Sequence, residues 1–223
     1  MKIVAINGFG RIGRQFFRAT FGAGDFEIVA INDLTDTKTL AYLLKYDSVY
    51  GRYPKKVENA EGKIIIDGKE IKIFAEKDPA RLPWKDLGVE VVIESTGFCT
   101  TGEKAKAHLD AGAKRVVITA PAKDGVDTIL VGVNDDKFAS AGPITCNASC
   151  TTNSVAPVLA ILLENFHILD SRFSADISRG NKSKLEAYHY TEYLDKNKFA
   201  IIYWLFSKEA VAKGNIKKYV EKL

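Results

Sequence analysis

The feature that most constrains this chain is a run near its start in which an apolar stretch, a glycine loop, a helical pattern, a second apolar stretch and an acid follow one another. Lys2 to Ile6 and Glu27 to Ile31 are rich in Val and Ile and read as buried strands, while Ile12, Phe16 and Phe17 between them have helical spacing. The connection is Asn7-Gly8-Phe9-Gly10-Arg11-Ile12-Gly13, so a GxGxxG pattern leaves a strand and opens a helix, and the second strand ends in Asn32-Asp33. Three glycines alone often serve only tight turns. The order strand, loop, helix, strand, acid makes this a dinucleotide-binding loop. Gly8 is expected to make the turn, Gly10 to let backbone approach a pyrophosphate, and Gly13 to let helix and strand pack, with the helix N-terminus supplying oriented N–H donors. Asp33 would accept from a ribose 2′-hydroxyl and repel a 2′-phosphate, and no Arg or Lys stands next to it. The expected cofactor is therefore NAD rather than NADP.

The rest of the first three quarters continues the alternation. Val89 to Ile93, Arg115 to Thr119 and Ile129 to Val133 read as further buried strands, and Gly102 to Gly112 as a helix between the first two. Such β-branched runs fit parallel strands covered by helices on both faces. Lys63 to Ile66 and Glu70 to Phe74 flank Asp67-Gly68, a hairpin signal, and read as an addition to the same sheet. The expected class is α/β: a doubly wound, mostly parallel sheet over residues 1–149, followed by a truncated, mainly helical C-terminal part.

A second chemical signature is Asn147-Ala148-Ser149-Cys150-Thr151-Thr152-Asn153, ahead of the apolar run Val155 to Leu163. It places hydroxyl side chains and Cys150 at a helix N-terminus, where free amides and the dipole favour a thiolate and could hold an oxyanion or phosphate. A cysteine at a helix start is more often structural than catalytic, so position alone does not make it a nucleophile. Cys146, in Ile144-Thr145-Cys146, reads as a buried strand residue, and Pro157 predicts a kink or a late helical start.

The 223 residues are 46% hydrophobic and 27% charged, which excludes disordered and collagen-like classes. The longest apolar run, Phe199 to Phe206 with Ala200 to Phe206 at its core, is far short of a membrane span, and the chain opens directly on a strand. The three cysteines, Cys99, Cys146 and Cys150, show no paired metal-ligand spacing. They argue for a reducing compartment and a cytoplasmic location, with no metal and no membrane partner.

The combination INGFGRIGR, VAINDLTD, LLKYDSVYGRYP, EKDPARLPW, ESTGF, APAKD, VGVN and NASCTTN resembles the phosphorylating glyceraldehyde-3-phosphate dehydrogenase family in order and spacing, over residues 1 to about 169. That resemblance implies oxidation of glyceraldehyde 3-phosphate through a thiohemiacetal and thioester on Cys150, with hydride transfer to NAD and attack by inorganic phosphate. Residue by residue, it implies phosphate-site roles for Ser149 and Thr151, and cofactor contacts at Gly8, Gly10, Arg11, Ile12, Gly13, Asp33, Lys77 and Thr119. Lys77 stands where many members have Arg, which keeps the charge but not the planar fork. A homotetramer is typical of the family. The domain expectation is 1–149 for the NAD-binding domain, 150–169 for the nucleophile helix that starts the catalytic domain, and 170–223 for a non-family tail.

The tail differs in composition. It holds 11 Lys+Arg against 7 Asp+Glu, the whole of the net charge of +4. Phe199, Ile202, Tyr203 and Phe206, then Ile216, Tyr219, Val220 and Leu223, predict two helices broken at Gly214-Asn215. The aromatics have core spacing and the charge excess is modest, so a nucleic-acid surface is not expected. The resemblance implies a His-Ser-Tyr-Thr base motif, a substrate Thr and Arg and a nicotinamide-holding Asn that the tail does not show. Tyr188-His189-Tyr190-Thr191 resembles that motif only superficially, its neighbours reading as helix. The tail reads as foreign to the family, by frameshift, fusion or assembly error, and the chain is expected to bind NAD with little or no turnover. The alternative function is a catalytically incomplete NAD-binding module.

Overall fold

The computed structural model describes residues 1–165, 172–175 and 187–190. The chain divides into two compact units, Met1–Asn153 and Ser154–Leu223.

The first unit is built on strands β1 (Lys2–Asn7), β2 (Phe26–Asn32), β5 (Val57–Ala60), β6 (Lys63–Ile66), β7 (Lys69–Phe74), β8 (Val91–Glu94), β9 (Arg115–Ile118), β10 (Asp127–Thr128) and β11 (Ile144–Cys146). They form one nine-stranded sheet in the order β10-β11-β9-β8-β1-β2-β7-β6-β5. Every pair from β10 to β7 is parallel, and only β7–β6 and β6–β5 are antiparallel. This is the expected doubly wound α/β sheet. The Asp67-Gly68 hairpin extends it, with φ of 49° and 86° at the two turn residues, the positive values a two-residue hairpin demands.

Side-chain alternation along β1 splits the core. Val4 and Ile6 point to one face, packing with Phe17 of α1 (Arg11–Thr20) and with Leu40 and Leu44 of α2 (Thr37–Lys45). Ala5 points to the other face, against Trp84, Val89 and Val92. Phe9 meets Phe17 edge to face at 5.7 Å between ring centroids and Phe17 stacks on Phe21 at 4.9 Å, which fixes α1 over the sheet. The short pair β3 (Tyr46–Asp47) and β4 (Gly51–Arg52) follows α2. On the opposite side, Ala105 of α3 (Gly102–Asp110) packs with Val116, Ile118 and Cys146. Cys146 is thus the buried strand residue expected.

One strand expectation fails. Ile129 to Val133 is not a strand; the edge strand is β10, and the chain then turns. Asn134 explains the turn, because its Oδ1 accepts from the Leu130 amide at 2.7 Å and its Nδ2 donates to the Thr128 carbonyl at 2.9 Å. Gly132 has φ +79° and Val131 is exposed. A side-chain amide closing a turn outcompetes β-branched propensity here.

Helix α4 (Cys150–Asn165) starts at Cys150 itself and contains Pro157 within its span. The helix start therefore lies where the sequence places it, while the first compact unit runs on to Asn153. In the second unit, β12 (Arg172–Ala175) and β13 (Ala187–Tyr190) pair antiparallel, with Phe173 opposite His189. His189 stands in a strand rather than in the helix expected, consistent with the β preference of the Tyr-His-Tyr run. The two tail helices expected around Phe199–Phe206 and Ile216–Leu223 lie outside the described residues.

Candidate active site

The carboxyl ends of β1, β2 and β8 deliver the glycine loop, the Asp33 loop and the Ser95–Phe98 loop to one cleft, and the three glycines play different parts there. Gly8 has φ +90°, and a Cβ on it would lie 2.7 Å from the backbone of Ser95 and Thr96. A Cβ on Gly13 would lie 2.2 Å from the Gly8 carbonyl oxygen and 2.9 Å from Ser95 Oγ. These two positions close the loop against β8 and α1. Gly10 meets nothing within 4 Å, so its open face is where a ligand's backbone-sized group can approach. No side chain caps α1 at Gly10, which leaves the first-turn amides to bind an external acceptor.

Gly8, Gly10, Asp33, Lys77, Thr96, Leu34 and Phe98 line this cleft together. Asp33 Oδ2 accepts from the Phe9 amide at 2.7 Å and Oδ1 from the Thr35 amide at 2.9 Å, so the carboxylate both braces the glycine loop and faces the cleft. Four other residues expected at the cofactor stand around the cleft rather than in its lining. The Arg11 guanidinium makes a two-pronged bond to Asp47 at 3.0 and 3.1 Å, so at the loop Arg11 offers backbone rather than charge. Asp47 also accepts from the Val49 and Tyr50 amides, and these bonds together with Arg11 hold its carboxyl well below the usual carboxylate range. Ile12 is exposed and Gly13 is buried beneath the loop. Thr119 donates its amide at 2.9 Å and its Oγ at 3.0 Å to the Glu94 carbonyl, which pins the end of β9 to the end of β8.

The thiol site begins at the end of β11. Asn147 donates its amide to the Ile118 carbonyl at 3.0 Å and its Nδ2 to the Ile129 carbonyl at 3.0 Å. Ala148 then takes φ +56°, a left-handed conformation unusual for a residue with a Cβ. Asn153 reaches back over this turn, its Nδ2 bonding the carbonyls of Asn147 at 2.6 Å and Ser149 at 3.0 Å. Ser149 Oγ accepts from the Thr152 amide at 3.0 Å as an N-cap and meets the Thr151 hydroxyl at 2.7 Å. Cys150, the first residue of α4, is exposed. The other thiols are not comparable. Cys146 is buried against Thr128 Oγ1 at 3.1 Å, and burial together with the charge of Glu94 pushes the Cys99 thiol up to about 11.

Sequence reasoning missed the polar ends of the strands. Asn7, Asn32 and Glu94 are each buried at 5% exposure or less; Asn7 and Asn32 belong to the lining of the cleft and Glu94 lies outside it. The available signal was a polar residue closing each of three apolar runs. Asn153 was likewise read only as motif. Among the described residues there is no cluster of metal-ligating side chains and no helix long and apolar enough to cross a membrane.

The cleft fits NAD: an uncapped helix N-terminus beyond an open glycine for the pyrophosphate, a carboxylate at the second strand end for the ribose, and apolar Leu34 and Phe98 walls. Comparison with known proteins agrees. Residues 2–102 match a family model described as glyceraldehyde 3-phosphate dehydrogenase, NAD binding domain. The glyceraldehyde-3-phosphate dehydrogenase of Thermotoga maritima is 54% identical over 187 residues, covering 83% of this chain and 56% of the relative. Those of Borreliella burgdorferi and Geobacillus stearothermophilus are 56% identical over 173 residues (75% of this chain, 51% of the relative) and 49% over 183 residues (82% and 55%). The chain spans about half the length of the curated relatives it matches. The two longest alignments run somewhat past Leu169.

Proposed function

Residues 1 to about 169 of the chain belong to the glyceraldehyde-3-phosphate dehydrogenase family, and from that premise we propose that the chain binds NAD and uses Cys150 as the nucleophile of the family's aldehyde oxidation. The carrying observation is the turn that presents Cys150: an exposed thiol at the first residue of α4, aimed by the left-handed Ala148 and clasped by Asn153. The substrate of this reading is glyceraldehyde 3-phosphate, with inorganic phosphate as co-substrate. Bound NAD supplies the hydride acceptor. The Cys150 thiolate would add to the aldehyde carbon, the carbonyl oxygen taking a proton, to give a thiohemiacetal; transfer of its C–H hydride to bound NAD with release of the hydroxyl proton to water would leave a thioester, and a phosphate oxygen would displace the Cys150 thiolate to give an acyl phosphate. Ser149 and Thr151, with the first-turn amides of α4, are the phosphate-site groups in this proposal. Gly8, Gly10, Arg11, Ile12, Gly13, Asp33, Lys77 and Thr119 are the cofactor groups, with Arg11 and Ile12 acting through backbone.

The same reading takes residues 1–149 as the NAD-binding domain, 150–169 as the nucleophile helix and 170–223 as the tail, whose first residues still align with two of the relatives, in a cytoplasmic protein. The exposed apolar side chains Tyr42, Tyr46, Val49 and Tyr50 on α2 and the β3–β4 segment offer a surface for association of copies of the chain, in an oligomer that need not be the homotetramer typical of the family.

A specific observation keeps the binding-module reading in play. The one imidazole among the described side chains, His108, is fully buried and bonded to Trp84 and Glu94, so it is not a proton acceptor for the thiohemiacetal. Positioned acid–base catalysis is worth about 10²–10⁴ in rate, so a chain without such a group would turn over weakly. The test is NADH absorbance with the full chain, glyceraldehyde 3-phosphate, phosphate and NAD. NADH formation that requires phosphate and disappears in Cys150→Ser supports the enzyme. Saturable NAD binding with no NADH at all leaves the binding module, and NAD bound no more tightly than NADP overturns the role of Asp33.

A further inference from the structure

From the lining of the cleft, which includes Asn7 and Asn32, a continuous buried hydrogen-bond chain runs back to Trp84. Trp84 Nε1 donates to His108 Nδ1 at 3.0 Å. An indole N–H can only donate, so Nδ1 is bare and Nε2 carries the ring proton. That proton goes to Glu94 Oε2, 3.0 Å away, where Asn7 Nδ2 also donates at 2.6 Å. Glu94 Oε1 accepts from the Thr96 amide at 2.8 Å and from the Thr96 hydroxyl. Four donors therefore converge on one carboxylate whose residue is 2% exposed, a full complement for its four lone pairs. The chain continues sideways: Asn32 Nδ2 donates to Asn7 Oδ1 at 2.7 Å and to the Glu76 carbonyl at 2.9 Å, and Asn32 Oδ1 accepts from the Glu76 amide at 2.8 Å.

The three polar side chains sit at the last residues of β1, β2 and β8, and the groups they fix are the next residues out. Asn7 precedes Gly8, Asn32 precedes Asp33 and holds Glu76 beside Lys77, and Glu94 holds Thr96. Gly8, Asp33, Lys77 and Thr96 all line the cleft. Each amide in the chain has its sense dictated by its neighbours, and a polar network satisfied in this way holds one geometry.

We infer that Glu94 is a positioning residue for the nucleotide: with His108 and Trp84 fixing its orientation from behind, it sets the spacing of the loops that receive NAD, without touching NAD itself. The inference rests on the NAD-binding reading of the cleft. Substitution of Glu94 leaves donors from Asn7, His108 and Thr96 facing one another, and the loops they anchor drift apart. NAD binding in turn must be felt at the far end of the chain, at the Trp84 indole.

Two measurements on the full-length chain test this, with NAD as the probe. In Glu94→Gln, an isosteric change that turns one acceptor oxygen into a donor, calorimetric titration should show Kd raised about tenfold or more while far-UV dichroism keeps the folded spectrum. In the unsubstituted chain, the ¹⁵N–¹H resonance of the Trp84 indole, assigned by its loss in Trp84→Phe, should shift on saturation with NAD. A role confined to core stability would not move that resonance. If Glu94→Gln does not fold, the indole measurement decides alone. A folded Glu94→Gln that binds NAD with unchanged Kd, or an indole resonance indifferent to saturating NAD, overturns the inference while leaving the cofactor reading intact. An unsubstituted chain that does not bind NAD overturns the cofactor reading and the inference with it.

Discussion

At the scale of single residues, three glycines in one loop answer to different constraints, and substitution separates them. A Cβ at Gly13 would meet the Gly8 carbonyl at 2.2 Å, and no rotamer relieves a clash with backbone. Gly13→Ala must therefore push α1 off the sheet, and overpacking of this kind costs about 1–3 kcal/mol before any ligand is considered. Gly10 has φ −69°, a value any residue adopts, and its Cβ would enter open space. Gly10→Ala should leave the melting temperature of the free chain nearly unchanged, yet place a methyl group where the pyrophosphate approaches and weaken NAD binding about tenfold or more. Paired denaturation and NAD titration of the two variants check this. Equal loss of stability in both would mean that Gly10, too, is only a turn residue.

At the scale of elements, the β11–α4 junction stores a conformation that its neighbours must hold. Ala148 sits at φ +56°, which costs an L-residue roughly 1–2 kcal/mol relative to a right-handed one, and Asn153 ties down the carbonyls on either side of it. Asn153→Ala should let the turn relax and slow alkylation of Cys150 by iodoacetamide, whereas Ala148→Gly should keep both the turn and the rate, because glycine adopts this φ freely. Combining the two should recover part of the rate lost in Asn153→Ala. An unaltered rate in Asn153→Ala would show that the clasp does not aim the thiol. This junction also marks how far the sequence was legible. The parallel strands, the hairpin at Asp67-Gly68 and the helix start at Cys150 could all be read, because each is fixed by neighbours along the chain: alternation, a turn dipeptide, a cap. Ile129 to Val133 was misread because a side chain, Asn134, overrode a β-branched run. The Asn7–Asn32–Glu94–His108–Trp84 chain was invisible for a related reason: its members come from separate strands, a loop and a helix, and only pairing of β1 with β2 and β8 makes them neighbours. The motif makes Ser149 and Cys150 legible as the cap and first residue of α4, whereas the reach of Asn153 back over the Ala148 turn has no signal in it.

At the scale of the whole molecule, every cleft-lining residue comes from Met1–Asn153, so binding of NAD acts on the unfolding of that unit. A ligand that binds only the folded state adds RT ln(1 + [L]/Kd), about 2.7 kcal/mol at a hundredfold excess over Kd. For a unit of this size each kcal/mol raises the melting temperature by about 2–4 °C, so scanning calorimetry with NAD at that excess should show a rise of about 5–10 °C. The measurement belongs near neutral pH. Bonds to the Tyr50 and Val49 amides and to Arg11 depress the carboxyl of Asp47, and bonds to the Lys56 amide and Lys55 depress that of Asp67, in the folded state. A carboxyl lowered on folding contributes stability that is fully present above its unfolded value of about 3.9 and is lost as pH falls below it. Acid therefore erodes the unit itself and masks the ligand. At neutral pH the rise should shrink in Gly10→Ala, whose free chain melts normally, and should be smaller with NADP, whose 2′-phosphate meets the Asp33 carboxylate. If the calorimetric trace resolves two transitions, only the one that exposes β1, β2 and β8 to hydrogen exchange should move. A rise of the same size with NADP as with NAD would mean that nucleotide binding here reads the pyrophosphate through the glycine loop and does not read the ribose at all.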